Sequence, residues 1–144
     1  MADIKKSEVV RHVLQKLINI SSRKTNEGHA VSTMHNLIKK LEEKYDFLKH
    51  IEIKDTSFLE LDDSVTVMSE INVVKLNDVG EALSDIIRTM NHALGKDAGH
   101  FFIKELRNNI EEPYAPIIQN MGLDFGLMQL EHEVNELEKN IKRQ

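Results

Sequence analysis

Cysteine and tryptophan are absent from this chain, and aromatic residues make up only 5% of it. The missing cysteine excludes disulfides, thiolate metal sites and cysteine nucleophiles. The scarcity of aromatics requires an aliphatic core, built from Leu, Ile, Val and the six Met. No stretch approaches the roughly 18 consecutive apolar residues of a membrane span, so no membrane partner is expected. The opening residues, MADIKKSEVV, carry no apolar run and no small-residue cleavage pattern. They do not read as a secretory signal, and the expected compartment is the cytoplasm. Asn19-Ile20-Ser21 fits a glycosylation acceptor only by chance in that setting.

A chain of 144 residues is most simply one domain, here a helical one spanning 1–144. At this length about 70% of the unfolded surface can be buried, so no staple is needed. The net charge of −5 conceals an asymmetry: residues 1–50 carry a balance of +4 and residues 51–144 a balance of −9. The simplest account packs the basic first part beside the acidic last helix. The alternative is a basic amino-terminal face for nucleic acid or an acidic partner.

The strongest pattern lies at the end. Leu123, Leu127, Leu130, Val134, Leu137 and Ile141 are spaced four, three, four, three and four apart. This 3.5-residue period marks a helix over residues 123–143 whose seam requires a partner helix along its length. Glu131, Glu133 and Glu138 flank the seam, so the preferred partner surface is basic. A second seam, at Val31, Met34, Ile38, Leu41, Tyr45 and Leu48, has the same period, with Lys39, Lys40, Lys44 and Lys49 off it. This basic helix matches the acidic one in length and period, within one chain or between two.

The other elements follow from punctuation and period. Helix 1 is expected from a Ser7 cap to about Ile20, with apolar residues spread wide enough to touch at least two neighbours. The polar stretch 21–28 turns the chain into helix 2. Residues 50–54 and 64–68 alternate apolar and polar, and read as a small antiparallel β pair. Residues 72–75 read as a third short strand or an extended lead-in. Helix 3 is expected to start at Asp78, in capping-box spacing with Glu81, and to end at Gly95. Asp97 is placed to cap helix 4. Pro113 and Pro116 mark a short helix 5, closed by Gly122 before the last helix. The expected fold is mainly α, a five- to six-helix bundle with a small antiparallel β element near residues 50–68.

Motifs that would carry chemistry are incomplete. Seven histidines are present, at 12, 29, 35, 50, 92, 100 and 132. A metal-binding bundle needs converging Glu-x-x-His pairs, and none occurs. Glu8 with His12, or Asp97 with His100, supplies at most half a site. His132-Glu133-Val134-Asn135-Glu136 starts like a zinc-protease helix but has Glu136 where the second His is required. Gly95-Lys96 is followed by Asp97 in place of the Ser or Thr of a phosphate loop, and Met90 stands where its earlier glycine belongs. The backbone amides near Gly99 are a further anion candidate. Phe101 and Phe102 beside His100 suit a pocket less well than a core. No serine sits in a Gly-x-Ser-x-Gly elbow.

The reading that results is a non-enzymatic, cytoplasmic helical module that acts by protein–protein contact, as a regulatory or assembly subunit, and associates with itself as a dimer. No catalytic residue, cofactor or metal is assigned. The expected interface is Leu127, Leu130, Val134, Leu137 and Ile141. Another protein partner is compatible with the same surface. Two other classes compete. One is a DNA-binding regulator using the basic amino-terminal helices, although the linker is too long for a helix-turn-helix. The other is a metal- or ligand-binding bundle, which would require His12, His92 or His100 to meet carboxylates.

Overall fold

The computed structural model describes residues 4–24, 26–54, 65–93 and 102–142. Within them lie six α-helices: α1 (Lys6–Lys24), α2 (Glu27–Leu41), α3 (Leu76–Ala93), α4 (Phe102–Asn109), α5 (Ala115–Asn120) and α6 (Phe125–Lys142). A two-stranded antiparallel sheet joins β1 (Ile51–Ile53) to β2 (Val65–Val67), with Ile51 opposite Val67 and Ile53 opposite Val65. The protein is thus a mainly α bundle with a small β element, as the periodicities require.

Helix α1 is the hub. Val9, Val10, Val13, Leu14, Leu17, Ile18 and Ile20 are all buried. They occupy more than one stripe, and α1 packs against α2, α3, α4 and β2. Ser7 does not cap α1 but lies inside it. Its backbone amide donates to Asn72 Oδ1 at 2.9 Å, while Lys6 Nζ donates to the carbonyls of Asn72 and Val74. Residues 69–73 are therefore a 3₁₀ turn clamped on the start of α1, and not a third strand.

Helix α2 is shorter than its seam. It ends at Leu41, and Asp46–His50 forms a separate 3₁₀ turn. Tyr45 and Leu48 are nevertheless buried with Val31, Met34 and Ile38. A 3₁₀ turn repeats every three residues, so the three-residue step from Tyr45 to Leu48 keeps one face. The Tyr45 hydroxyl donates to Asp85 on α3, fixing that face to the core.

Helix α3 starts at Leu76, two residues before the expected Asp78 cap. Asp78 falls in its first turn, where a carboxylate complements the exposed amides. Gly80 allows α3 to approach the end of α5: a Cβ there would overlap the carbonyl oxygen of Met121. The predicted cap at Gly95, the Asp97 start of helix 4, and Gly99, His100 and Phe101 fall outside the described residues.

Candidate functional site: the outer face of α6

The chain enters α6 through a tight reversal. Gly122 takes φ +88°, its amide donates to the Gln119 carbonyl, and the Leu123 amide donates to the Ile118 carbonyl. This pair of bonds closes α5 as a Schellman motif, with the apolar Leu123 and Ile118 both buried. Asp124 then caps α6, its Oδ1 accepting from the Leu127 amide at 3.0 Å. The helix begins at Phe125, two residues later than its seam.

Two faces of α6 have opposite fates. Phe125, Met128 and His132, spaced three and four apart, form the inner face. Met128 is buried, and Phe125 packs on the core. The helix lies against α4. It is also tied to α3: Asn91 Nδ2 lies 3.1 Å from His132 Nδ1, and Arg88 pairs with Glu131 at 3.1 Å. The seam turns the other way. At 100° per residue, Leu130 and Leu137 lie roughly 160–180° from Met128 around the axis, Val134 about 120° and Leu127 about 100° from it. Leu127 is 50% exposed, Leu130 55%, Val134 44% and Leu137 61%. Ile141 belongs to the helix backbone, but its side chain is outside the description. Of the six seam positions, Leu123 alone is buried among those described.

Of the two alternatives left by the spacing, the one in which α2 receives this seam within the chain does not hold. The apolar side chains of α2 are already enclosed in the core with α1 and α3, and its outward residues are polar: Ser32, His35, Asn36, Lys39 and Lys40. Among the described residues, basic side chains of the first part have ion-pair partners outside the last helix. Lys39 pairs with Glu42, Lys44 with Asp85, Lys49 with Asp46 and Arg23 with Glu105. Four of the ten basic residues of the first fifty thus find their carboxylates away from the last helix.

A groove of about 840 Å³ continues the seam at its start. Ile110, Ile118, Leu123, Phe125 and Leu127 line it, with Arg107 on its rim. The apolar surface of α6 therefore passes through Leu127 into the corner between α4 and α5.

Among the described residues no three His, Asp or Glu side chains converge on one point that could hold a metal ion. His12 is used structurally. Its Nε2 accepts from the Glu111 amide at 3.1 Å, and its ring stacks on Tyr114 with centroids 4.1 Å apart. The proton of the neutral ring must then be on Nδ1. Burial holds the His12 pKa below the usual histidine value, with Glu111 acting in the opposite direction and Lys16 in the same one. His92 is exposed, and His100 lies outside the described residues.

Sequence reasoning found the seam but missed the residues that tie α6 to α3. Arg88 and Asn91 on α3 make polar contacts to the inward side of α6, at Glu131 and His132. Asn91 is only 5% exposed, a polar residue on the otherwise apolar face of Leu83, Ile87 and Met90. A polar residue on such a stripe was the available signal. No family model, curated protein or solved structure matches this chain.

Proposed function

We propose that the protein is a non-enzymatic interaction module, a regulatory or assembly subunit, whose docking element is α6. The observation that carries this reading is the exposure of Leu127, Leu130, Val134 and Leu137 on one face of a helix held by its other face. Large apolar side chains scattered singly over a surface need no explanation, whereas a contiguous row at helical spacing marks a contact surface. In the absence of another partner, the occupant available at high protein concentration is a second copy, because closed two-fold pairs are the commonest assembly of soluble chains.

Sedimentation equilibrium at high micromolar concentration tests this. The wild type should approach twice its monomer mass of 16.6 kDa. Leu127→Glu combined with Val134→Glu should restore the monomer mass without lowering helix content. A wild type that stays at monomer mass overturns self-association, and a dimer that survives the double substitution places the contact elsewhere.

A further inference from the structure

The charges beside the α6 seam bear on which partner fits it best. Glu131 and Glu138 follow seam residues and flank one side, while Glu133 precedes Val134 and flanks the other. All three are exposed. Glu131 is held by Arg88, and Glu133 Oε1 accepts from Gln129 Nε2 at 3.3 Å, which orients that carboxylate along the helix surface. Glu133 and Glu138 thus form an acidic rail on both sides of the apolar row.

A second copy meets this rail badly in either orientation. In a parallel pair in register, Glu133 faces Glu138 of the other copy on both sides. In an antiparallel pair with Leu130 opposite Val134, Glu131 lies by its own counterpart and Glu133 by its own. Like charges across an interface oppose binding and serve to exclude wrong partners. The basic helix α2 of another copy is no remedy, because its Val31, Met34 and Ile38 are buried in its own core and leave no apolar knobs outside.

Resting on the reading of α6 as a docking element, we infer that its fitted occupant is a basic amphipathic helix of another protein. Such a helix has apolar residues at alternating three- and four-residue steps and Lys or Arg on both flanks. Leu127 to Leu137 spans about 15 Å, so some three turns of partner helix suffice to cover the row. Knobs at those steps fill the seam, and flanking cations meet Glu133 and Glu138 where a second copy would bring carboxylates. Self-association is then the weaker use of the same surface.

Fluorescence anisotropy with three labelled synthetic helices tests the assignment on the intact chain. One peptide carries Leu at the seam positions and Lys at the flanks. The second carries Leu with Glu at the flanks, and the third carries Gln at the seam with Lys at the flanks. The Leu/Lys peptide should bind at least about tenfold tighter than the Leu/Glu peptide at low salt. That preference should shrink in about 0.5 M salt, where exposed charges are screened. The Gln/Lys peptide should not bind. Glu133→Lys with Glu138→Lys should reverse the preference while leaving the melting temperature of the fold in place. Equal binding of the two Leu peptides, or a preference that survives the charge reversal, overturns the inference while leaving the docking element intact. Binding that ignores Leu127→Glu with Val134→Glu removes the docking element itself. Binding of the Gln/Lys peptide as tight as that of the Leu/Lys peptide reduces the effect to diffuse attraction for a basic chain and overturns the inference.

Discussion

Two runs of apolar residues in this chain have the same period, and the fold treats them in opposite ways. Val31, Met34, Ile38, Tyr45 and Leu48 are enclosed, although the helix that starts the run breaks at Leu41. Leu127, Leu130, Val134 and Leu137 continue along one unbroken helix and remain at the surface. Period alone therefore identifies a helix face that requires a partner, and not where the partner lies. The difference is in the neighbouring positions. Around the first run, Ala30 and Leu37 widen the apolar face and are buried with it. Around the second, Glu131, Glu133 and Glu138 narrow it to a strip bounded by charge. A wide face suits the interior of a bundle, and a narrow one with charged margins suits contact between separate helices.

The largest effect that separates the two runs should come from α2. Ile38→Ala removes three buried methyl or methylene groups from a site that α1 and α3 enclose. We expect a loss of about 2–5 kcal/mol, with the usual dependence on how far the cavity collapses. Met34→Ala should fall in the same range. Denaturant unfolding at a low, fixed protein concentration measures both. A cost below about 0.5 kcal/mol, typical of surface positions, would erase the contrast from the buried side.

Much of the fold was legible because local pattern and tertiary packing agree. The breadth of the apolar face on helix 1 announced a helix with several neighbours, and α1 is the hub. The alternation at Ile51–Ile53 and Val65–Val67 gave the sheet. Gly122 and the seam located the last helix to within two residues. What was not legible depends on distant partners. Asn72 reads as part of an extended segment, yet its side chain accepts from the Ser7 amide more than sixty residues away. The break after Leu41 left no trace, because the 3₁₀ turn keeps Tyr45 and Leu48 on the same face. The candidate site divides similarly: the seam was visible in spacing, whereas the inward contacts made by Met128, Arg88 and Asn91 exist only once α6 lies on α3 and α4.

A smaller and more local effect should distinguish the sealed α2 region from the assembly that carries α6. His12 joins α1 to the turn before α5 by accepting the Glu111 amide and stacking on Tyr114. Its folded pKa is lowered, chiefly by burial. The unfolded chain therefore binds the proton more readily. The stabilisation is present above the unfolded value of about 6.5 and is lost as pH falls from there through the folded value. Hydrogen exchange compared at about pH 7 and about pH 5, after correction for intrinsic rates, should show protection falling first in residues 102–124, with α2 little changed. His12→Gln should remove most of that difference, since the amide does not titrate. A uniform loss of protection across α2 and α4 would mean that the joint is not local.

The smallest expected effect is the most decisive for the comparison, because it concerns α6 as an isolated chain presents it. Leu130 and Leu137 are more than half exposed. Spacing alone gives Leu130→Ala or Leu137→Ala the cost of a buried knob, a few kcal/mol. The fold revises this for the monomer. With the partner surface empty, removing either side chain forfeits little burial, and the change should stay within about 0.5 kcal/mol at dilute protein concentration. Alanine also has the higher intrinsic helix propensity, which offsets part of any loss. The same substitutions should tell once the surface is occupied, because ligation of the folded state adds stability by mass action. Unfolding measured over a range of protein concentrations should therefore show the wild type gaining stability with concentration and Leu130→Ala gaining less. A large, concentration-independent loss in Leu130→Ala would mean that the seam is buried within its own chain after all, and would make the two runs alike.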